Sequence, residues 1–228
     1  MKNNSGKIWF LGRGYEEYLE MFRLDLKKLK SMRILDCAAG ASSFTSRMTK
    51  MGYDVTAGDI MYDTKPEQIE NVSEDDFKTL MEFHNGLEDK VDWDFFKTPE
   101  ELTNYRIETY KEFAEDYKKG KGVRYIKAEL PILPFPDNSF DLVLCSHLLF
   151  LYEDRLSCQF HMESIKEMLR VARHELIIYP LVKLRGHGQH SQYLEPLMEY
   201  FSSKNDLEIQ KIDYHFRKGA DEIMKIKI

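Results

Sequence analysis

Cysteine is scarce in this chain, and the few that occur do not pair in any recognisable pattern. Only Cys37, Cys145 and Cys158 are found in 228 residues, an odd number without C-x-x-C spacing, which excludes a disulfide framework and a zinc ribbon. The seven prolines and twelve glycines are scattered, and no unit repeats at a fixed period, so a solenoid or a long linker is excluded as well. Nowhere do eighteen apolar residues follow one another, and the opening MKNNSGKIWFLGRGYEEY has no signal-peptide core. The expected location is therefore the cytoplasm, with no membrane contact. A basic face is missing too. No Lys/Arg stripe with interleaved aromatics exists, and residues 61–122 carry 17 acidic against 9 basic side chains, a balance of −8 where the whole chain has −6. No nucleic-acid partner is expected from such a distribution.

What remains is a globular composition, 43% hydrophobic and 32% charged, sufficient for one sizeable core and a single domain over residues 1–228. Tyr15, Tyr18, Leu19, Phe22, Leu26 and Leu29 keep helical spacing and predict an amino-terminal amphipathic helix. RILDCAAG reads as a buried strand running into a small-residue turn, Ser43 to Met51 as a helix closed by Gly52, and Tyr53 to Ile60 as a second strand. Together these make a βαβ unit and imply a parallel sheet. Residues 61–122 interrupt the alternation as a helical insert, expected to roof the acceptor pocket. Ser73 and Asp76 suggest a capping box for a helix through Phe77, Leu80, Met81 and His84 to Gly86. Thr98, Pro99 and Glu101 open a second helix, whose stripe of Leu102, Tyr105, Thr109, Phe113 and Tyr117 is read as ordinary packing. After it come strands in VRYIKAEL, FDLVLCS and ELIIYPL, with helices at Asp154 to Ala172 and around Pro196 to Ser202. LEIQKIDYHF and EIMKIKI, separated by RKGAD, close the chain as an antiparallel hairpin.

In doubly wound sheets ligands sit beyond the carboxyl ends of the strands. The first strand-to-helix turn here, Asp36-Cys37-Ala38-Ala39-Gly40-Ala41-Ser42, is built of small residues that let a ligand approach the backbone. Asp59 ends the second strand, where a carboxylate can accept both ribose hydroxyls. With these residues on the page, ILDCAAGAS, VTAGDI and LPFPDNSFDLVLCSHLLFLY, in that order, resemble the successive motifs of the class I S-adenosylmethionine-dependent methyltransferases.

The resemblance implies a Rossmann-like, doubly wound seven-stranded α/β sheet of order 3-2-1-4-5-7-6 with strand seven antiparallel. It implies S-adenosylmethionine as cofactor, held around Asp36, Cys37, Ala38, Ala39, Gly40 and Ser42, with Asp59 at the ribose and Ile60 and Met61 beside the adenine. Glu129, next to Leu130, matches the acid that accepts the adenine amino group, and Cys145, Ser146 and His147 match the end of strand four beside the methyl donor. The loop departs from the family's D/E-x-G-x-G-x-G pattern, with Ala38 and Ser42 at two glycine positions. The EEY-x-x-MF opening, CSHLLFLY and the G-A-x-x-x-M ending further resemble a bacterial subgroup, which names no acceptor.

Two rival readings are a non-catalytic nucleoside-binding or scaffold module and a nicotinamide-dependent oxidoreductase. The second needs G-x-G-x-x-G against a pyrophosphate, whereas this turn has one glycine and begins with a carboxylate. For the acceptor, a small molecule is favoured by the missing basic face. His147, Tyr152 and His187 are the candidate catalytic residues; a histidine is tuned to take a proton near neutrality, should the acceptor need a base. His187 and His190 have H-x-x-H spacing without a third ligand, so no metal is expected. Arg13, between Gly12 and Gly14, is read as an exposed arginine within reach of a carboxylate on donor or substrate.

Overall fold

Alternate residues of a strand face opposite sides of a sheet, and this chain has two apolar layers ready to receive them. In the computed structural model, which describes residues 7–83, 91–214 and 216–228, seven strands form one sheet of order β3-β2-β1-β4-β5-β7-β6. They are β1 (Arg33–Cys37), β2 (Asp54–Asp59), β3 (Tyr125–Lys127), β4 (Phe140–Ser146), β5 (Ala172–Tyr179), β6 (Asp206–Lys211) and β7 (Glu222–Lys227). All neighbours run parallel except β7, which is antiparallel to both β5 and β6. The register brings Cys37 level with Gly58 and Cys145, and Ser146 level with Tyr179, so the carboxyl ends of the four central strands open on one edge.

Helices α1 (Tyr15–Met21), α2 (Leu26–Leu29), α3 (Phe44–Lys50), α4 (Pro66–Phe83), α5 (Pro99–Gly120), α6 (Cys158–Val171) and α7 (Leu194–Ser202) cover the sheet and its rim. Leu35, Val143 and Leu176 face one core with Ile165, Met168 and Leu197, while Ile34, Leu142, Leu144 and Ile177 face another with Tyr18, Phe22, Phe44 and Met48. Burial on both faces explains why β4 carries the continuous apolar run from Leu142 to Cys145. A third, aromatic core of Phe10, Tyr62, Phe113, Tyr117 and Tyr125 seats the insert, as the packing reading of the α5 stripe expects. Among the described residues no helix is long and apolar enough to cross a membrane.

Several boundaries differ from the sequence expectation for local reasons. The amino-terminal helix breaks in two where Arg23 takes φ +49, and Asp25 caps the second piece by accepting from the Lys27 N–H at 3.0 Å. The capping box at Ser73 does not form. Helix α4 begins at Pro66, about two turns earlier, so Ser73 is mid-helix and donates to the Ile69 carbonyl at 3.0 Å. Its expected stop at Gly86 lies outside the described residues. Thr98 does cap α5, accepting from Glu101 N–H at 3.1 Å ahead of Pro99. β6 ends at Lys211 rather than Phe216, and the freed residues fold back toward the insert, where Asp92 N–H donates to the Phe216 carbonyl at 2.9 Å.

One buried ion pair fastens the insert to the amino terminus. Glu17 is fully buried and forms a two-pronged pair with Arg106 of α5, while the Tyr214 hydroxyl donates to it at 2.5 Å and the Gly14 N–H at 2.8 Å. Burial alone would raise the Glu17 pKa, but Arg106, then Arg13 and Tyr214, outweigh it and hold the carboxyl below its usual range. Removing one partner strands the other charge in the core, which costs about 3–5 kcal/mol. Arg106→Met is therefore expected to lower the urea-denaturation stability by about that much, and the Arg106→Met/Glu17→Gln double variant to recover a good part of it. Equal losses in single and double variants would show that the pair's charge is not what matters.

Candidate functional site

Leaving β1, the chain must turn at once into α3, and its backbone is constrained there. Ala38 (φ +58) and Gly40 (φ +60) both take the left-handed conformation, which costs the alanine roughly 1–2 kcal/mol. Gly40 has a second reason to lack a side chain. A Cβ on it would lie 2.0 Å from the Leu11 carbonyl oxygen, and a Cβ on Gly12 would lie 2.0 Å from the backbone of Ala41. Residues 7–13 thus form a strap lying on the turn, backbone against backbone. Ser43 N–H donates to the Arg13 carbonyl at 3.3 Å, and Tyr15 N–H to Ser43 Oγ at 3.1 Å. Farther along, buried Asp76 accepts from Phe10 N–H at 2.8 Å and pairs with Lys7, while the Arg155 guanidinium lies 5.5 Å from the Trp9 ring.

Asp59 closes the other side of the turn. One carboxylate oxygen accepts from Gly40 N–H and the other from Met61 N–H, each at 2.9 Å. Burial raises its pKa to about 6 against those two donors. Asp36 is wholly buried; its Oδ1 accepts from the Tyr18 hydroxyl at 2.9 Å, and its Oδ2 has no partner. Burial, reinforced by the charge of Asp59, raises Asp36 to about 8 despite the Tyr18 bond.

Between strap, turn and the end of β4 lies a cavity of about 340 Å³, within the range of small-molecule sites. Every sequence-predicted cofactor residue lines it except Asp36, Ser42 and Cys145, which stand behind its wall. Ser42 Oγ instead accepts from Phe44 N–H at 3.1 Å at the start of α3. Cys145 is buried with its thiol raised to about 12, so it stays protonated. Ile60, half exposed, and Glu129 stand at the rim. His147 and Tyr152 line the cavity, whereas His187 is exposed and does not. His190 pairs with Glu222 at 2.8 Å, and no cluster of three or more metal-ligating groups exists among the described residues.

A second chamber of about 70 Å³ adjoins the first across Trp9, Leu11, Arg13, His147, Leu151 and Tyr152. Its far wall comes from the insert and the β6–β7 connection, including Phe77, Leu102, Arg106, Phe216 and Arg217. Arg13 is thus a partly buried wall residue rather than an exposed one. The cue was its flanking glycines, but what they permit, contact with a turn 28 residues on, has no local signature. His147 (φ +56) is anchored by its own N–H to the Tyr179 carbonyl at 2.7 Å. Its Nδ1 lies 2.7 Å from Ser146 Oγ and 3.5 Å from Arg13 Nε. Because Arg13 Nε can only donate, Nδ1 accepts, and the ring hydrogen belongs on Nε2. Burial and the charges of Arg13, Arg106 and Arg217 hold the imidazole pKa well below its usual value. The imidazole is thus neutral, with Nε2 carrying its hydrogen.

Residues 98–178 match the family model described as a methyltransferase domain. An uncharacterized protein of Methanocaldococcus jannaschii is 38% identical over 218 residues, covering 95% of each chain. The crystal structure of the PH0226 protein from Pyrococcus horikoshii OT3 superposes with a TM-score of 0.52 at 16% identity, over 92% of this chain and 88% of that one.

The orphaned Asp36 oxygen gives a stability signature. Its native pKa of about 8 lies above the usual 3.8, so the folded state keeps a proton that the unfolded state releases, and stability contributed by this group falls as pH rises through that window. Asp36→Asn removes the titration while leaving the Tyr18 hydroxyl an acceptor. The melting temperature of the variant minus that of the parent, both ligand-free, is expected to increase from about pH 5 to about pH 8. A difference independent of pH would show that Asp36 is already ionised when folded.

Proposed function

Because the chain belongs to the class I S-adenosylmethionine-dependent methyltransferases, whose cofactor is S-adenosylmethionine, we propose that the larger cavity is the donor site and that the methyl group goes to a small molecule held partly in the second chamber. The observation that carries this reading is the placement of Asp59. Each of its oxygens accepts one backbone N–H and keeps a lone pair directed to the cavity it lines, the arrangement a vicinal diol needs. Ile60, Met61, Ala128, Leu130 and Leu133 supply an apolar slot for the base, with Glu129 at its edge. Ala38, Ala39 and Gly40 allow the methionine portion close approach.

When bound, the cofactor supplies a methyl carbon activated by a sulfonium, and catalysis then consists largely of alignment. This chain's residues supply that alignment. The strap excludes water from above, the insert roofs the second chamber through Phe77, Leu102 and Arg106, and His147 and Tyr152 stand at the passage between the two spaces. His147 orients by donating from Nε2. An oxidoreductase reading is disfavoured on a sharper ground than loop composition, since the Gly40 N–H that a pyrophosphate would require is taken by Asp59.

Calorimetric titration with S-adenosylhomocysteine tests the assignment. Asp59→Ala is expected to weaken binding by roughly ten- to a thousandfold, at about 1.4 kcal/mol per tenfold, with Asp59→Asn losing less. Because Asp59 titrates near 6, the parent should also lose affinity as pH falls below that value, and Asp59→Asn should not. Parent-like binding by Asp59→Ala would remove Asp59 from the ribose and with it the donor assignment of the cavity.

A further inference from the structure

Three arginines converge on the second chamber, and one carboxylate answers them. Arg106 is satisfied by Glu17. Among the described residues no carboxylate lies within ion-pair distance of Arg13 or Arg217, whose polar contacts are His147 Nδ1 at 3.5 Å and the Leu184 carbonyl at 2.9 Å. The Arg13 guanidinium lies 5.8 Å from the Phe216 ring, and the remaining walls are mostly apolar. A lysine so placed could shed its proton, but an arginine does not, and Arg13 and Arg217 stand partly buried with Glu17, the carboxylate that acts on Arg13, already paired with Arg106. Burial, with Arg106 next to Arg13 and with Arg13 next to Arg217, shifts both guanidinium pKa values down, the direction that unmet positive charge produces.

We propose that the second chamber is a carboxylate-recognition pocket for the methyl acceptor, with Arg13 and Arg217 as its two cationic contacts. This rests on the reading of the larger cavity as the donor site. Size limits the occupant. At about 30 Å³ per water, a chamber of about 70 Å³ takes a carboxylate with one or two further carbons. The rest of the acceptor, with the atom to be methylated, extends past His147 and Tyr152 toward the donor. Arg13 lines both spaces, but Arg217 lines only the smaller chamber, so its contact is separate from any carboxylate held in the larger cavity. A carboxylate suits the donors, because a guanidinium fork presents two N–H groups to its two oxygens.

The test uses propionate as probe and propionamide as its neutral isostere, at constant ionic strength, on the full chain with and without S-adenosylhomocysteine. Propionate is expected to raise the melting temperature and propionamide not to. Arg217→Gln should weaken the apparent propionate affinity by about tenfold or more while S-adenosylhomocysteine affinity stays within about threefold of the parent. Arg217→Lys, which keeps the charge but loses the fork, should fall between and guards against a folding artefact in the first variant. Equal responses to propionate and propionamide, or an undiminished response in Arg217→Gln, would overturn the proposal. So would inorganic phosphate binding where propionate does not, or a tenfold loss of S-adenosylhomocysteine affinity in Arg217→Gln. A parent that binds propionate through Arg217 but never S-adenosylhomocysteine would sink the donor reading and leave the anion pocket standing.

Discussion

Two glycines facing each other's backbone hold the working end of this molecule together. Gly40 leaves room for the Leu11 carbonyl and Gly12 for the backbone of Ala41, so the strap and the β1–α3 turn can lie in contact with nothing between them. From that contact the rest follows in sequence. The strap roofs the larger cavity, delivers Arg13 to the wall shared with the second chamber, and starts α1 so that Glu17 meets Arg106. A side chain at either glycine would displace backbone rather than a flexible tip, and every one of these placements would shift with it.

Charge divides the site into two unlike ends. Around the turn, Asp36 and Asp59 are carboxyls pushed upward by burial, in a region built to receive neutral or positive groups. Across the passage, Arg13, Arg106 and Arg217 outnumber Glu17, and burial together with their charges keeps His147 neutral. A cationic sulfonium binds more readily beside carboxyls than beside guanidiniums, while the positive side suits an acid-bearing group. The chain's overall acidity hides this arrangement, because most of the described carboxylates in residues 61–122 are exposed.

The parts legible in the sequence were those with local causes. Strand–turn–helix alternation and apolar runs led to a parallel sheet, and the family resemblance to its order; Thr98 capped where capping chemistry required; Gly40 stood in the turn after β1 and Asp59 at the end of β2. Ser73 was misread because its cap-like spacing with Asp76 also suits a mid-helix serine bonding back to Ile69. The strap, Arg106 and Arg217 escaped notice because their meaning depends on distant partners. Arg106 lay inside an aromatic stripe that promised only packing, and Arg217 in a segment expected to be strand and turn. His187 shared the correct edge of the sheet in sequence terms, yet its loop leaves it exposed.

The central claim is that the space under the strap is where the cofactor's product binds, and amide hydrogen exchange on the full chain reads it directly. On saturation with S-adenosylhomocysteine, peptides covering residues 7–13, 38–43 and 59–62 should exchange more slowly, as a roof held closed by its ligand must, while the β6 and β7 strands at the far edge stay unchanged. Binding confirmed by calorimetry without slowed exchange in those three segments would place the ligand elsewhere and contradict the account.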